Sequence, residues 1–106
     1  MKLSKAEASL LMYLETRAVD HKGWVDTSLM NNEDFAIVKK WNKEGYVKFG
    51  RVASSDITYT PGRYYRLTHW CELSDAAWGN VAQLRRERAE RGLQSRIYRR
   101  IEEIET

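Results

Sequence analysis

The spacing of apolar positions changes several times along the chain, and each change marks an element. Ala6, Leu10, Leu11, Leu14 and Ala18 recur at helical spacing and form one apolar stripe. Ser4 and Glu7 stand before it at the spacing of a capping box, in which the two side chains satisfy free amides at a helix start. The pattern predicts a first helix ending near Val19, then a short extended piece at Trp24 and Val25. Asp26 or Thr27 is placed to cap a very short second helix around Ser28, Leu29 and Met30, and Asn31-Asn32 to turn the chain and supply the next cap. Residues 33–44 read as a third helix with Phe35, Val38 and Trp41 inward at three-residue steps. Gly45 stops it, as a residue that enters the left-handed conformation past a helix end.

Beyond Gly45 the period falls to two. Residues 46–52 alternate and are rich in β-formers, which predicts a strand. A polar stretch and the turn Thr60-Pro61-Gly62-Arg63 separate it from a second strand over 64–73. Ser74 is placed to cap a fourth helix from 75 to about 90, with Trp78, Val81 and Leu84 or Ala82 on its core side. Gly92 is expected to interrupt that helix. Leu93, Ile97, Tyr98, Ile101 and Ile104 then make a second amphipathic segment. The expected organisation is one domain over 1–92 and a helical tail over 93–106. The fold class is mainly α with a small β-hairpin. Trp24, Trp41, Trp70 and Trp78 are assigned to the core, and Cys71 reads as a small buried apolar group.

Composition narrows the function. A chain of 106 residues that is 42% hydrophobic holds one modest core. A lone cysteine cannot form an internal disulfide, and no stretch suits a signal peptide or a membrane span, so a cytoplasmic protein is expected. His21 and His69 lack the spacing of a metal site, no glycine-rich phosphate loop occurs, and the carboxylates do not pair around a polar pocket. The expectation is a protein with no cofactor, no metal and no catalytic activity.

The net charge of +3 hides an uneven distribution. Residues 1–84 are nearly neutral, with 11 Lys/Arg against 10 Asp/Glu. Residues 85–100 hold Arg85, Arg86, Arg88, Arg91, Arg96, Arg99 and Arg100 against two Glu, and the last six residues return −3. Such a cluster suits phosphate binding with release of counterions, or a solvated helix laced with Arg–Glu pairs.

The order of three helices, a two-stranded hairpin and a further helix resembles the winged helix-turn-helix superfamily, over about 26–84. Trp41-Asn42-Lys43-Glu44-Gly45-Tyr46-Val47 is similar to that superfamily's junction between recognition helix and wing. Tyr65-Arg66-Leu67 leading to Glu72-Leu73-Ser74-Asp75-Ala76-Ala77 resembles the end of the wing in MarR-like regulators, with Ala77 where a glycine is common. The resemblance implies that the third helix enters the major groove and the hairpin touches the backbone or minor groove. Its outward face is expected to carry Glu33, Ala36, Ile37, Lys40 and Lys43. Glu33 and Asp34 stand at the end that approaches a duplex; they repel it, or they serve the helix dipole. On the hairpin, Arg51, Arg63 and Arg66 with Tyr59, Tyr64 and Tyr65 suit phosphate contact, base stacking or a protein contact.

The expected DNA-binding set is therefore Lys40, Lys43, Arg51, Arg63, Arg66 and Tyr64, on a small transcriptional regulator. It would pair as a homodimer through Leu93, Ile97, Ile101 and Ile104 and bind double-stranded DNA. The alternative is a winged-helix protein-interaction module, such as a small phage-type inhibitor or adaptor of a host complex.

Overall fold

A computed structural model describes residues 2–53 and 67–97, the side chains of 95–97 excepted. Ser4 opens helix α1 (Lys5–Asp20) through the expected capping box: its hydroxyl accepts the Glu7 amide at 3.1 Å, and Glu7 accepts the Ser4 amide at 3.0 Å. Strand β1 (Trp24–Val25) follows. The expected second helix is a single 3₁₀ turn, Thr27–Leu29, with Asp26 as its cap. Helix α2 (Asn32–Glu44) starts from a second capping box, formed by Asn31 and Asp34. Gly45 ends it at φ 74°, where a β-carbon would be strained.

Strands β2 (Val47–Arg51) and β3 (His69–Leu73) pair antiparallel, Val47 opposite Leu73 and Arg51 opposite His69. With β1 they form a three-stranded antiparallel sheet in the order β1-β3-β2. Helix α3 (Asp75–Ile97) closes the described chain. The result is an α+β fold with a C-terminal helix, in an order compatible with a winged helix.

The core lies between one face of the sheet and the three helices. Leu10, Leu11 and Leu14 of α1 meet Val38 and Trp41 of α2, Val25, Val47, Cys71 and Leu73 of the sheet, and Ala77 and Val81 of α3. Arg85 fastens α3 to α1: its Nη2 donates to Glu15 Oε1 at 2.9 Å, to Thr16 Oγ1 at 2.9 Å and to the Met12 carbonyl at 3.1 Å.

Three expectations need correction. Trp78 is not on the core side of its helix, being 39% exposed; the buried positions are Ala77 and Val81, where α3 lies too close to the core for an indole. Trp70 is 38% exposed because strand alternation sends its neighbours Cys71 and Leu73 inward and Trp70 outward. Gly92 does not interrupt the last helix, which runs through it to Ile97. A glycine inside a helix costs only about 1 kcal/mol, too little alone to break it.

Trp41 is fully buried and meets Tyr46 edge-on, with ring centroids 5.3 Å apart. Trp41→Ala should cost about 3–5 kcal/mol, the range for large aromatic truncations in a core, read as a lowered denaturant midpoint.

Candidate functional site

Helix α2 carries more side chains than the core consumes. Its inward stripe is Val38 and Trp41, with Phe35 and Ile37 half-buried beside them. By helical spacing, Asn32, Ala36, Lys39 and Lys43 then share the opposite face, and all four are exposed. The outward face differs from the expected one in phase. Ile37 packs against the core, and Lys40 turns toward α1, where its Nζ lies 3.9 Å from Glu7 Oε2. Lys39, missed in the sequence, takes the position facing the strands. The signal for it was Ile37, whose apolar side chain belongs on a buried flank.

Between α2 and the β2–β3 pair lies an open cleft of about 560 Å³. Asn32, Ala36, Lys39 and Asn42 line it from the helix, and Phe49, Gly50, Arg51 and His69 from the strands. Asn42 Oδ1 accepts the Phe49 amide at 3.0 Å and so fixes the strand edge to the helix. The floor is aromatic: His69 stacks on Phe49 at 5.3 Å between centroids and meets Phe35 edge-on at 6.2 Å. Among the described residues no carboxylate lines this cleft, and Lys39, Lys43 and Arg51 form no ion pair.

The acids at the start of α2 divide. Asp34 accepts the Asn31 amide at 3.1 Å, so it serves the helix cap, while Glu33 stays exposed. The basic tail divides as well. Arg85 is engaged with Glu15, and Arg86 lies 3.4 Å from Glu90 one turn on, which leaves Arg88 and Arg91 exposed without an ion pair among the described residues. Arg63, Arg66, Tyr64, Tyr59, Tyr65, Arg99, Arg100, Ile101 and Ile104 lie outside the described residues, as do the side chains of Arg96 and Ile97. Leu93 is 51% exposed.

Cys71 is buried, its thiol donating to the Leu14 carbonyl at 3.6 Å, and burial pushes its pKa up to about 11. A thiol held protonated is a poor nucleophile. No three His, Cys, Asp or Glu side chains converge among the described residues, and no described helix is long and apolar enough to cross a membrane. No family model, curated protein or solved structure matches the chain.

His69 is the titratable group of the cleft. Burial, and secondarily the positive charge of Arg51, lower its pKa below the ordinary 6.5. The unfolded chain therefore takes up this proton before the folded one does. The stability tied to neutral His69 is present above the ordinary value and is lost as pH falls through it toward the folded value. Ring-proton NMR should place the His69 midpoint below that of a free imidazole, and Arg51→Ala should move it upward.

Proposed function

We propose that the chain binds double-stranded DNA, with α2 in the major groove and the β2–β3 pair against the backbone, as in the winged helix-turn-helix that its sequence resembles. The observation that carries this reading is the cleft side of α2. Lys39 stands there with Asn32 and Asn42, beside Arg51 of β2, with Lys43 exposed one turn further along the same helix face, and no carboxylate is among the described residues of the lining. Cations left out of ion pairs are the ones free to replace phosphate counterions, and asparagine can pair with an adenine edge. In this reading the protein acts as a small transcriptional regulator.

The homodimer belongs to the same proposal. Helix α3 spans 23 residues, yet Arg86 and every residue from Arg88 to Gln94 is exposed. Helical turns without packing are marginal in water, so this half of α3 favours a partner surface, and Leu93 gives it an apolar start. Light scattering should return twice the chain mass at tens of micromolar, and a form ending at Arg91 should return one; a monomeric full chain would overturn the dimer.

The aromatic floor of Phe35, Phe49 and His69 favours a second reading, in which the cleft takes an apolar side chain of a protein partner. Fluorescence anisotropy on random duplexes across a salt series separates the two. Lys39→Ala, Lys43→Ala and Arg51→Ala should each lower the salt slope of log K by about 0.9 if the side chain contacts a phosphate. Absence of binding even at low salt would sink the DNA reading in favour of the protein partner.

A further inference from the structure

The outer face of the sheet, turned away from the core, carries a second arrangement that has only Arg51 in common with the proposed duplex site. Trp70 lies on the central strand β3, directly opposite Trp24 on β1 and Gly50 on β2, so all three share that face. A β-carbon on Gly50 would sit 2.8–2.9 Å from three atoms of the Trp70 indole. The ring therefore lies across the Gly50 backbone and is held there. Glycine inside a strand weakens it, and this strand keeps one where it seats a ring that stays 38% exposed. Lys22 leads into β1 and borders the groove beside the indole; Arg51 ends β2 opposite His69, which by register gives it to the cleft face, and it borders the groove as well. These residues, with Trp24, Val52 and Ala53, line an open groove of about 610 Å³ whose described lining holds no acid.

We propose that this face binds single-stranded nucleic acid, with an unpaired base stacked on Trp70 and the flanking phosphates on Lys22 and Arg51. A solvent-facing π-surface seated on Gly50, in a groove bordered by Lys22 and Arg51, matches a polyanion that carries planar groups along its length. A duplex does not meet this description, because its bases are stacked on one another and offer only their edges. Among the described residues of β2 and β3, the exposed acid on this face is Glu72, which stands opposite Lys48 in register, so the pair adds no net charge. An acidic polypeptide would satisfy the cations but leave the ring's stacking unused.

The test uses the full chain and a labelled 12-mer of deoxythymidine, read by fluorescence anisotropy and by quenching of tryptophan emission. Trp70→Ala should weaken binding by about tenfold, and Trp70→Phe, which keeps a ring, by much less. Trp78→Ala removes an equally exposed indole from α3 and should change nothing, which controls for loss of any surface tryptophan. Lys22→Glu, remote from the core, should also weaken the single strand, so the proposal does not depend on one variant's folding. An abasic 12-mer should bind the parent and Trp70→Ala alike. The two proposals fail separately: Lys43→Ala should reduce duplex binding and spare oligothymidine, and Trp70→Ala the reverse. Oligothymidine ignored at low salt, or bound equally by the parent, Trp70→Ala and Lys22→Glu, would overturn the inference. So would polyglutamate bound in a Trp70-dependent way in its place.

Discussion

The backbone and side chain of Tyr46 hold the elements of this fold in register. Its amide donates to the Trp41 carbonyl at 2.9 Å, which closes the turn after Gly45. Its own carbonyl accepts from both the Ser74 hydroxyl, at 2.7 Å, and the Ser74 amide, at 3.1 Å. The same Ser74 Oγ accepts the Ala77 amide at 3.2 Å, and so caps α3. The phenol accepts from Asn80 Nδ2 at 2.7 Å, one turn further along that helix. One residue thus ties the end of α2 to the start of α3, and the strands between them must lie alongside. These bonds are largely sheltered from water, so loss of either partner leaves a polar group stranded at a cost of about 1–3 kcal/mol.

That constraint decides what α2 can present. With Trp41 locked beneath the sheet and Asn42 holding the Phe49 amide, the helix cannot rotate, and Asn32, Ala36, Lys39 and Lys43 are left outward. Rigid presentation has a cost elsewhere in the core. Among the described residues, Trp41 Nε1 is buried without a hydrogen-bond partner, and so is Nη2 of the buried Arg17, whose Nε donates to the Trp24 carbonyl at 2.8 Å. Arg17 reaches out of α1 to β1 and holds that two-residue strand against the helix. The sheet's third strand depends on this contact because two residues offer few ladder bonds of their own.

Local chemistry made much of the fold legible. The Ser4–Glu7 box, the Asp26 and Ser74 caps and the Gly45 stop are side-chain-to-backbone events within a few residues, so sequence spacing contains them. Tertiary phase was harder. Trp70 and Trp78 read as core because large aromatics usually are, yet the strand alternation through Cys71 and Leu73 already pointed Trp70 outward. For Trp78 no local signal competes, since Ala77 and Trp78 both share a helix face with Val81 by spacing, and only tertiary packing buries Ala77 and leaves Trp78 exposed. Arg17 lies on the apolar stripe of α1 at the right spacing, and its charge hid it from a reading by hydrophobicity. The candidate site was half legible: the cationic strand end at Arg51 was found, but Lys39 was passed over for Lys40.

Arg85 and Lys40 show why net charge was a weak guide to a binding surface. A cation that the fold has already paired with a carboxylate must break that pair to meet a phosphate, so its contribution to binding is the difference of two similar terms. Arg85 holds Glu15, and Lys40 lies near Glu7, so neither adds its full charge to a ligand. The arginine-rich segment is correspondingly less basic than its composition, and the nearly neutral body more so on two of its surfaces. Arg51 borders both of them, the cleft on one side of its strand and the outer groove on the other. A single guanidinium cannot serve two phosphates at full strength, so ligands on the two faces would compete for it, and occupancy of one would weaken the other by what Arg51 contributes.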